Sequence, residues 1–246
     1  MQKTISIVVA IFNRKDELFE LLNSLIAQTD KDFEVIIVDD GSFVDLLPTV
    51  ETFKEMLNIQ YFKKPNSGPG LSRNYGANRA KNDWLVFVDS DVIVEKDYIE
   101  NIKKNLEKTD CAAFGGADKA HKGFNLLQKA ISYSMTSVFT TGGIRGSKKA
   151  VTRFQPRSFN MGVNKEIFLK IGGFSEMRIG EDPDLSMTIW ENGYQTAFFD
   201  DIGVYHKRRT DLGKFSKQVY QFGCARPILN QRHPDYVKPT FWFPTL

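Results

Sequence analysis

Trp84-Leu85-Val86-Phe87-Val88-Asp89-Ser90-Asp91 is a run of five apolar residues that breaks off into two carboxylates two positions apart. It has the length of a strand and no polar face, as in a strand covered on both sides. Two earlier stretches read the same way. Ile5 to Ile11 is an apolar run that stops at Phe12-Asn13, and Val35 to Val38 runs into Asp39-Asp40-Gly41-Ser42. Between them, Leu18, Leu21, Leu22, Leu25 and Ile26 recur at helical spacing, with Asn13 or Asp16 as candidate caps. A helix around Leu46 to Leu57, a short strand at Ile59 to Phe62, a loop at Pro65 to Gly70 and a helix at Leu71 to Ala80 follow. Buried strands alternating with helices predict an α/β fold with a mostly parallel sheet flanked by helices. Ligands of such sheets sit beyond the carboxyl ends of the strands. The pattern therefore places three polar patches, at residues 12–13, 39–42 and 89–91, on one rim.

The chain has 246 residues and 28.1 kDa, enough for one large domain or a domain with a modest appendage. Apolar residues make up 41% and charged residues 26%, which excludes disorder, collagen and a coiled coil. No apolar run reaches the length of a spanning helix. Cys111 and Cys224 form neither a disulfide framework nor a zinc cage, and read as buried free thiols in a reducing compartment. Ile5 to Phe12 reads as the first strand rather than a signal segment, because charged residues follow at once with no small-residue cleavage site. The net charge of +3 is uneven: residues 203–246 carry +6, leaving −3 on the rest. A basic end after an acidic body suits an anionic surface or substrate. No nucleic-acid-binding pattern is present, so no nucleic-acid partner is expected. The aromatic ending Phe241-Trp242-Phe243-Pro244 fits a docked tail or a chain that continues into a hydrophobic segment.

The second half is less regular. Residues 140–157 hold Arg145, Lys148, Lys149, Arg153 and Arg157 with no acid, and with Gly142, Gly143 and Gly146 read as a basic loop. Asn160-Met161-Gly162 precedes a short helix near Lys165 to Ile171, and Gly172-Gly173-Phe174 turns the chain. Asp182-Pro183-Asp184 opens a helix to Asn192, with Asp182 at the N-cap and Pro183 at the first helical position. A strand from Gln195 to Phe199 follows, and His206 lies just past Val204-Tyr205.

Each polar cluster has two readings. Asp89 and Asp91 project to one side of extended backbone, which suits a hard divalent cation that also binds phosphate; two solvated acids in a turn would look the same. A nitrogen ligand such as His206 would shift preference from Mg2+ toward Mn2+, although a lone histidine is more often structural. Asp40 either forms a turn or accepts from a base or ribose. Asn66 to Gly70 with Arg73 suits a diphosphate at a helix start, or is a simple turn. Asp182 is an N-cap or a general base.

Taken in order, these pieces resemble the inverting family 2 glycosyltransferases with their GT-A fold. The resemblance rests on Val9-Ala10-Ile11-Phe12-Asn13-Arg14, Val38-Asp39-Asp40-Gly41-Ser42, Asn66-Ser67-Gly68 through Arg73-Asn74, Val88-Asp89-Ser90-Asp91, Gly172-Gly173-Phe174, Gly180 to Leu185, and His206. It implies a Rossmann-like sheet with a mixed acceptor-side half. It also implies that a sugar moves from a nucleotide-diphosphate sugar, expected to be a UDP-sugar, to a hydroxyl of a saccharide or lipid-linked acceptor. Asp182 would be the catalytic base. Phe12 and Asp40 would meet the base of the donor, Gly68 and Arg73 the ribose and diphosphate, and Asp89 the ribose or a metal-bound water. Asp91 and His206 would ligate Mn2+ or Mg2+. Asn160, Met161, Glu181 and Arg208 are the acceptor-side candidates.

Residues 1–115 would form the donor half, 116–210 the acceptor and catalytic-base half, and 211–246 a basic extension leading toward a membrane segment. That places the chain in the cytoplasm at the inner face of a membrane. Two departures stand out. Ala10-Ile11-Phe12-Asn13 lacks the hydroxyls of the Pro-Thr-Tyr-Asn common in the family, and Gln218 to Phe222 lacks the Arg and Trp of the processive Q-x-x-R-W motif, which favours addition of a single sugar. The alternatives are a haloacid-dehalogenase-like phosphatase using Asp89 as nucleophile and Asp91 as acid/base, and a non-catalytic nucleotide-sugar binder.

Overall fold

A computed structural model describes residues 3–119, 153–206 and 212–237. The elements are β1 (Ile5–Ile11), α1 (Lys15–Ile26), β2 (Phe33–Asp39), α2 (Leu47–Glu51), β3 (Ile59–Lys63), α3 (Pro69–Ala77), β4 (Trp84–Val88), β5 (Val92–Val94) and α4 (Tyr98–Lys108). β6 (Ala113–Lys119), β7 (Asn160–Asn164), α5 (Lys165–Lys170), α6 (Glu181–Glu191), β8 (Thr196–His206) and α7 (Leu212–Arg232) complete them. A short 3-10 turn, Pro234–Tyr236, follows α7.

Alternation along the central strands builds two cores. Ile5, Ile7, Val9 and Ile11 of β1, Val35 and Ile37 of β2, and Trp84, Val86 and Val88 of β4 face one side. There they meet Leu18, Leu21, Leu22 and Leu25 of α1 and Tyr98, Ile99, Ile102 and Leu106 of α4. Val8, Ile36, Val38, Leu85 and Phe87 face the other side, against Ala77 of α3, Phe168 of α5 and Leu185 and Ile189 of α6. Strands buried on both faces are why the sequence reads as continuous apolar runs there.

One eight-stranded sheet runs in the order β3-β2-β1-β4-β7-β6-β8-β5. β3, β2, β1 and β4 are mutually parallel. β7 then pairs antiparallel with both β4 and β6, β8 lies parallel to β6, and β5 antiparallel to β8. The sheet is thus parallel where the three polar patches emerge and mixed beyond β4, as expected from the resemblance.

Several local expectations change. α2 ends at Glu51, and residues 52–57 continue as turns, with Phe53 N donating to Val50 O and Met56 N to Phe53 O. β5, β6 and β7 were not expected as strands. β7 reads Asn-Met-Gly-Val-Asn, with poor strand propensity, and is held by pairing on both sides. Gly162 is required there, because a Cβ would fall 2.0 Å from Phe114 Cζ. β8 extends past Phe199 to His206. The residue before α1 is Arg14, and neither Asn13 nor Asp16 caps that helix. Of the two free thiols, Cys111 is partly buried and its pKa is pushed up to about 11 by burial, whereas Cys224 is exposed rather than buried.

Candidate active site

The first rim patch is stitched to the second. Asn13 sits in the left-handed region at φ 55, which Asn tolerates better than most residues. Its backbone N–H donates to Ser42 Oγ (2.9 Å), and its side-chain Oδ1 accepts from Phe43 N (2.8 Å). This duty, rather than helix capping, occupies the Asn13 side chain. The Phe12 and Phe43 rings meet edge to face at 6.0 Å.

Asp39 and Asp40 divide the labour after β2. Asp39 accepts from Ser42 N (2.8 Å) and Tyr61 OH (2.7 Å) and is fully buried. Burial, and then Asp39, push the Tyr61 phenol pKa up. Asp40 holds the loop before α3. Its Oδ1 accepts from Lys64 Nζ (2.5 Å) and Ser67 N (2.8 Å), and its Oδ2 from Gly68 N (2.9 Å). Burial alone would raise the Asp40 pKa; the Lys64 ammonium and these amides outweigh it and hold the carboxyl below its ordinary value. Gly68, at φ 97, precedes Pro69 at the first helical position of α3.

Arg73 is the hub. It is buried on α3, with Nη2 donating to Asp89 Oδ1 (2.7 Å) and Nη1 to Glu181 Oε1 (3.1 Å). Its guanidinium lies 5.4 Å from the Phe174 ring centroid. Desolvation opposes its charge, and Asp89, Asp182 and Glu181 more than offset that, so its pKa is raised. The next residue of α3, Asn74, clamps the Gly172-Gly173-Phe174 turn, accepting from Phe174 N (2.9 Å) and donating to Phe174 O (2.7 Å). Asp91 pairs with Arg14 across the rim. Arg14 loses charge stability to burial and regains more from Asp91, so its pKa is also raised.

α6 starts two residues earlier than expected. Gly180, at φ 88, is the N-cap, and Glu181 opens the helix. Asp182 therefore does not cap, and its buried Oδ1 has no hydrogen-bond partner among the described residues. Three acids in the first turn, Glu181, Asp182 and Asp184, sit favourably against the helix dipole. Burial first, and then the Asp182 charge, push Glu181 far above the carboxylate range, against the pull of Arg73. Arg157, read from sequence as part of a basic loop, lies in the field of Asp182 and Glu181, although burial still lowers its pKa. Its segment is docked on α6 by Ser186 Oγ donating to Pro156 O (3.2 Å), and no sequence motif signalled that placement.

The structure thus brings Arg73, Asp89, Glu181 and Asp182 together, with Asp91 and Arg14 alongside. It does not bring Asn160 and Met161 to the acceptor. Asn160 is buried between Tyr98 OH, which donates to its Oδ1 (2.6 Å), and Ile202 O, which accepts from its Nδ2 (2.8 Å). Met161 is fully buried in the second core. The backbone of His206 pairs with Val92, next to Asp91 in sequence, but its side chain lies outside the described residues. So do Arg145, Lys148, Lys149, Lys207, Arg208 and Arg209.

The family model described as glycosyl transferase family 2 matches residues 6–171, more than half of the chain. The chain belongs to this family. An uncharacterized glycosyltransferase of Haemophilus influenzae is 31% identical over 79% of this chain and 64% of its own length. Poly(ribitol-phosphate) beta-N-acetylglucosaminyltransferase TarS of Staphylococcus aureus is 34% identical over 39% of this chain and 18% of its own. A Rickettsia felis glycosyltransferase is 36% identical over 43% of this chain, and the match spans 18% of that relative. Among solved structures, S. aureus TarS with UDP-GlcNAc superimposes with TM-score 0.71 at 22% identity, over 93% of this chain and 66% of that one. Mannosyltransferase PcManGT of Pyrobaculum calidifontis, with GDP-Man and Mn2+, gives 0.68 at 19% identity over 98% of this chain and 67% of that one. The glycosyltransferase therefore has the GT-A fold. The phosphatase alternative falls with the family match, and β4 with its Asp89 follows three other strands.

Proposed function

We propose that this family 2 glycosyltransferase moves one sugar, with inversion, from a nucleotide-diphosphate sugar to a hydroxyl of a saccharide or lipid-linked acceptor. The observation that carries the reading is the partly buried Asp182 carboxylate. Its Oδ1 is enclosed and lacks a hydrogen-bond donor among the described residues, and Asp182 sits beside the Arg73–Asp89 pair at the strand ends. A general base must have an open acceptor position facing the proton it takes. Asp182 would take the proton of the acceptor hydroxyl as that oxygen attacks the anomeric carbon. One displacement then inverts the centre without a covalent enzyme intermediate. Arg73 would oppose the charge that builds on the departing diphosphate.

On the donor side, Phe12 would lie beside the base, with Asp40 fixing the Gly68 loop near the ribose and phosphates. Asp89 would meet the ribose. A divalent cation fits Asp91, whose carboxylate already faces a positive group, Arg14. Among the described residues no cluster of three metal-binding side chains exists, so the donor phosphates would have to complete the ligand set, as Mg2+ sites commonly arrange. His206 would add a nitrogen, favouring Mn2+. The cation would stabilise the leaving diphosphate. UDP is the expected carrier, supported by the TarS complex; the GDP-Man complex of the mannosyltransferase keeps guanine in the test panel.

Residues 1–115 would hold the donor, 116–210 the acceptor and base, and 211–246 a basic extension lying along an anionic membrane surface on its cytoplasmic side. No helix among the described residues is long and apolar enough to cross a membrane. Calorimetric titration with UDP, GDP, TDP, CDP and ADP, each with and without Mn2+, tests the donor site. Asp182→Asn should keep nucleotide binding and lose transfer by about 10²–10⁴-fold. Full transfer in that variant would remove Asp182 as the base, and no transfer by the wild type to any acceptor would favour the non-catalytic binder.

A further inference from the structure

Among the described residues, Phe43 is the large apolar side chain that the fold hides least. It is 90% exposed, while its ring partner Phe12 is 42% exposed. Exposed aromatics on mobile loops are common, but this segment is tied down by several hydrogen bonds. Phe43 N donates to Asn13 Oδ1, Ser42 N to Asp39 Oδ1, and Ser42 O accepts from Lys63 Nζ (3.0 Å). Ser42 Oγ accepts from Asn13 N, whose residue adopts a left-handed conformation to do so. Gly41, at φ 83, lies so close to the next loop that a Cβ would fall 2.9 Å from Asn66 N. A rigid frame therefore presents an apolar ring to open space, beside a second half-open ring, at the carboxyl ends of two parallel strands.

We infer that Phe43 is the second wall of the nucleobase site, and that the Phe12–Phe43 pair holds the base by aromatic contact more than by hydrogen bonds. This rests on the reading of the site as a nucleotide-sugar site. The polar groups that might otherwise read the base are committed elsewhere. Asp39 is enclosed, and Asp40 already accepts three hydrogen bonds of about four that a carboxylate takes. Phe12 has no hydroxyl to offer. Every base has a π-face, so stacking is tolerant of base identity and grows with ring area. The donor site should therefore discriminate weakly among nucleoside diphosphates, with purines bound at least as well as pyrimidines.

The test is calorimetric titration of UDP, TDP, GDP and ADP, in buffer with Mn2+, into the wild type, Phe43→Ala and Phe43→Trp. Phe43→Ala should weaken all four by a similar factor, about fivefold or more, and Phe43→Trp should restore binding. Because the ring is exposed, thermal unfolding without nucleotide should be unchanged in both variants. Binding that is altered less than twofold by Phe43→Ala, or a preference above a hundredfold for one base in the wild type, would overturn this inference and leave the donor site standing. No binding of any of the four to the wild type would overturn the donor site with it.

Discussion

Glu181→Gln is expected to match the wild type in stability near pH 5 and to exceed it near pH 8. Glu181 is buried, and burial, then the Asp182 charge, push its pKa up from 4.5 to about 8. The Arg73 Nη1 contact at 3.1 Å offsets only part of that. Between those two values the native chain keeps a proton that the unfolded chain has released. Fewer protons on the unfolded state mean stability falls as pH rises, by at most about 1.4 kcal/mol per pH unit for one group. The contribution is complete below the unfolded pKa and is lost as pH climbs to the folded one. Glutamine cannot ionise and keeps an Oε1 acceptor for Arg73, so the slope should vanish in the variant. Any change in packing from the amide would be a constant offset and would not mimic it. Urea unfolding of both proteins at several pH values from 5 to 8, extrapolated linearly, gives the difference curve. A difference that rises with pH supports the argument. A flat difference across the window would mean that Glu181 is ionised in the fold and that Arg73, rather than burial, governs it.

Arg14→Ala should tighten Mn2+ binding by about two- to fivefold in the absence of nucleotide, the worth of one partly exposed ion pair removed from Asp91, and calorimetry of the metal alone would show it. Asp184 accepts from Arg232 Nε (2.5 Å) and His233 Nε2 (3.0 Å), and its pKa is lowered, burial being outweighed by Ser175 first and then by Arg232 and His233. Asp184→Asn should therefore cost about 1.5–3 kcal/mol at pH 7, with the penalty shrinking as pH falls below about 4, where the unfolded wild-type chain takes up the proton and the native carboxyl follows only at lower pH. Gly162→Ala should destabilise by about 1–3 kcal/mol or more in chemical unfolding, because its Cβ would strike the Phe114 ring 2.0 Å away.

The parallel half of the fold was legible because its strands are buried on both faces, and continuous apolar runs with helical spacings between them have few other solutions. The mixed half was not. Asn160 to Asn164 becomes a strand through its neighbours, β4 and β6, and its polar residues gain partners only through contacts such as Asn160 with Tyr98 and Ile202. Those partners are 62 and 42 residues away in sequence, so no local pattern announces them. The same distance effect explains the acceptor-side misreading of Asn160 and Met161. On the rim, the strand-end carboxylates were legible as a set, but their partners were not. Arg14 with Asp91, and Arg73 with both Asp89 and Glu181, require the folded geometry to be seen.

Asp182 shows how a residue's availability is decided by what surrounds it. At an N-cap, its oxygens would be spent on backbone amides, and a base with spent oxygens takes no proton. Gly180 occupies the N-cap position instead and leaves Asp182 inside the first turn. It is held to glycine twice over, by φ 88 and by α7, against which a Cβ would sit 3.2 Å from Ala225 Cβ and 3.4 Å from Leu229 Cδ1. The end of α7 and the residue after it clamp α6 further along, through Arg232 and His233 on Asp184 and His233 Nδ1 against Glu191 Oε1 (2.7 Å). Residues beyond the family match at 6–171 therefore hold the helix that carries Asp182.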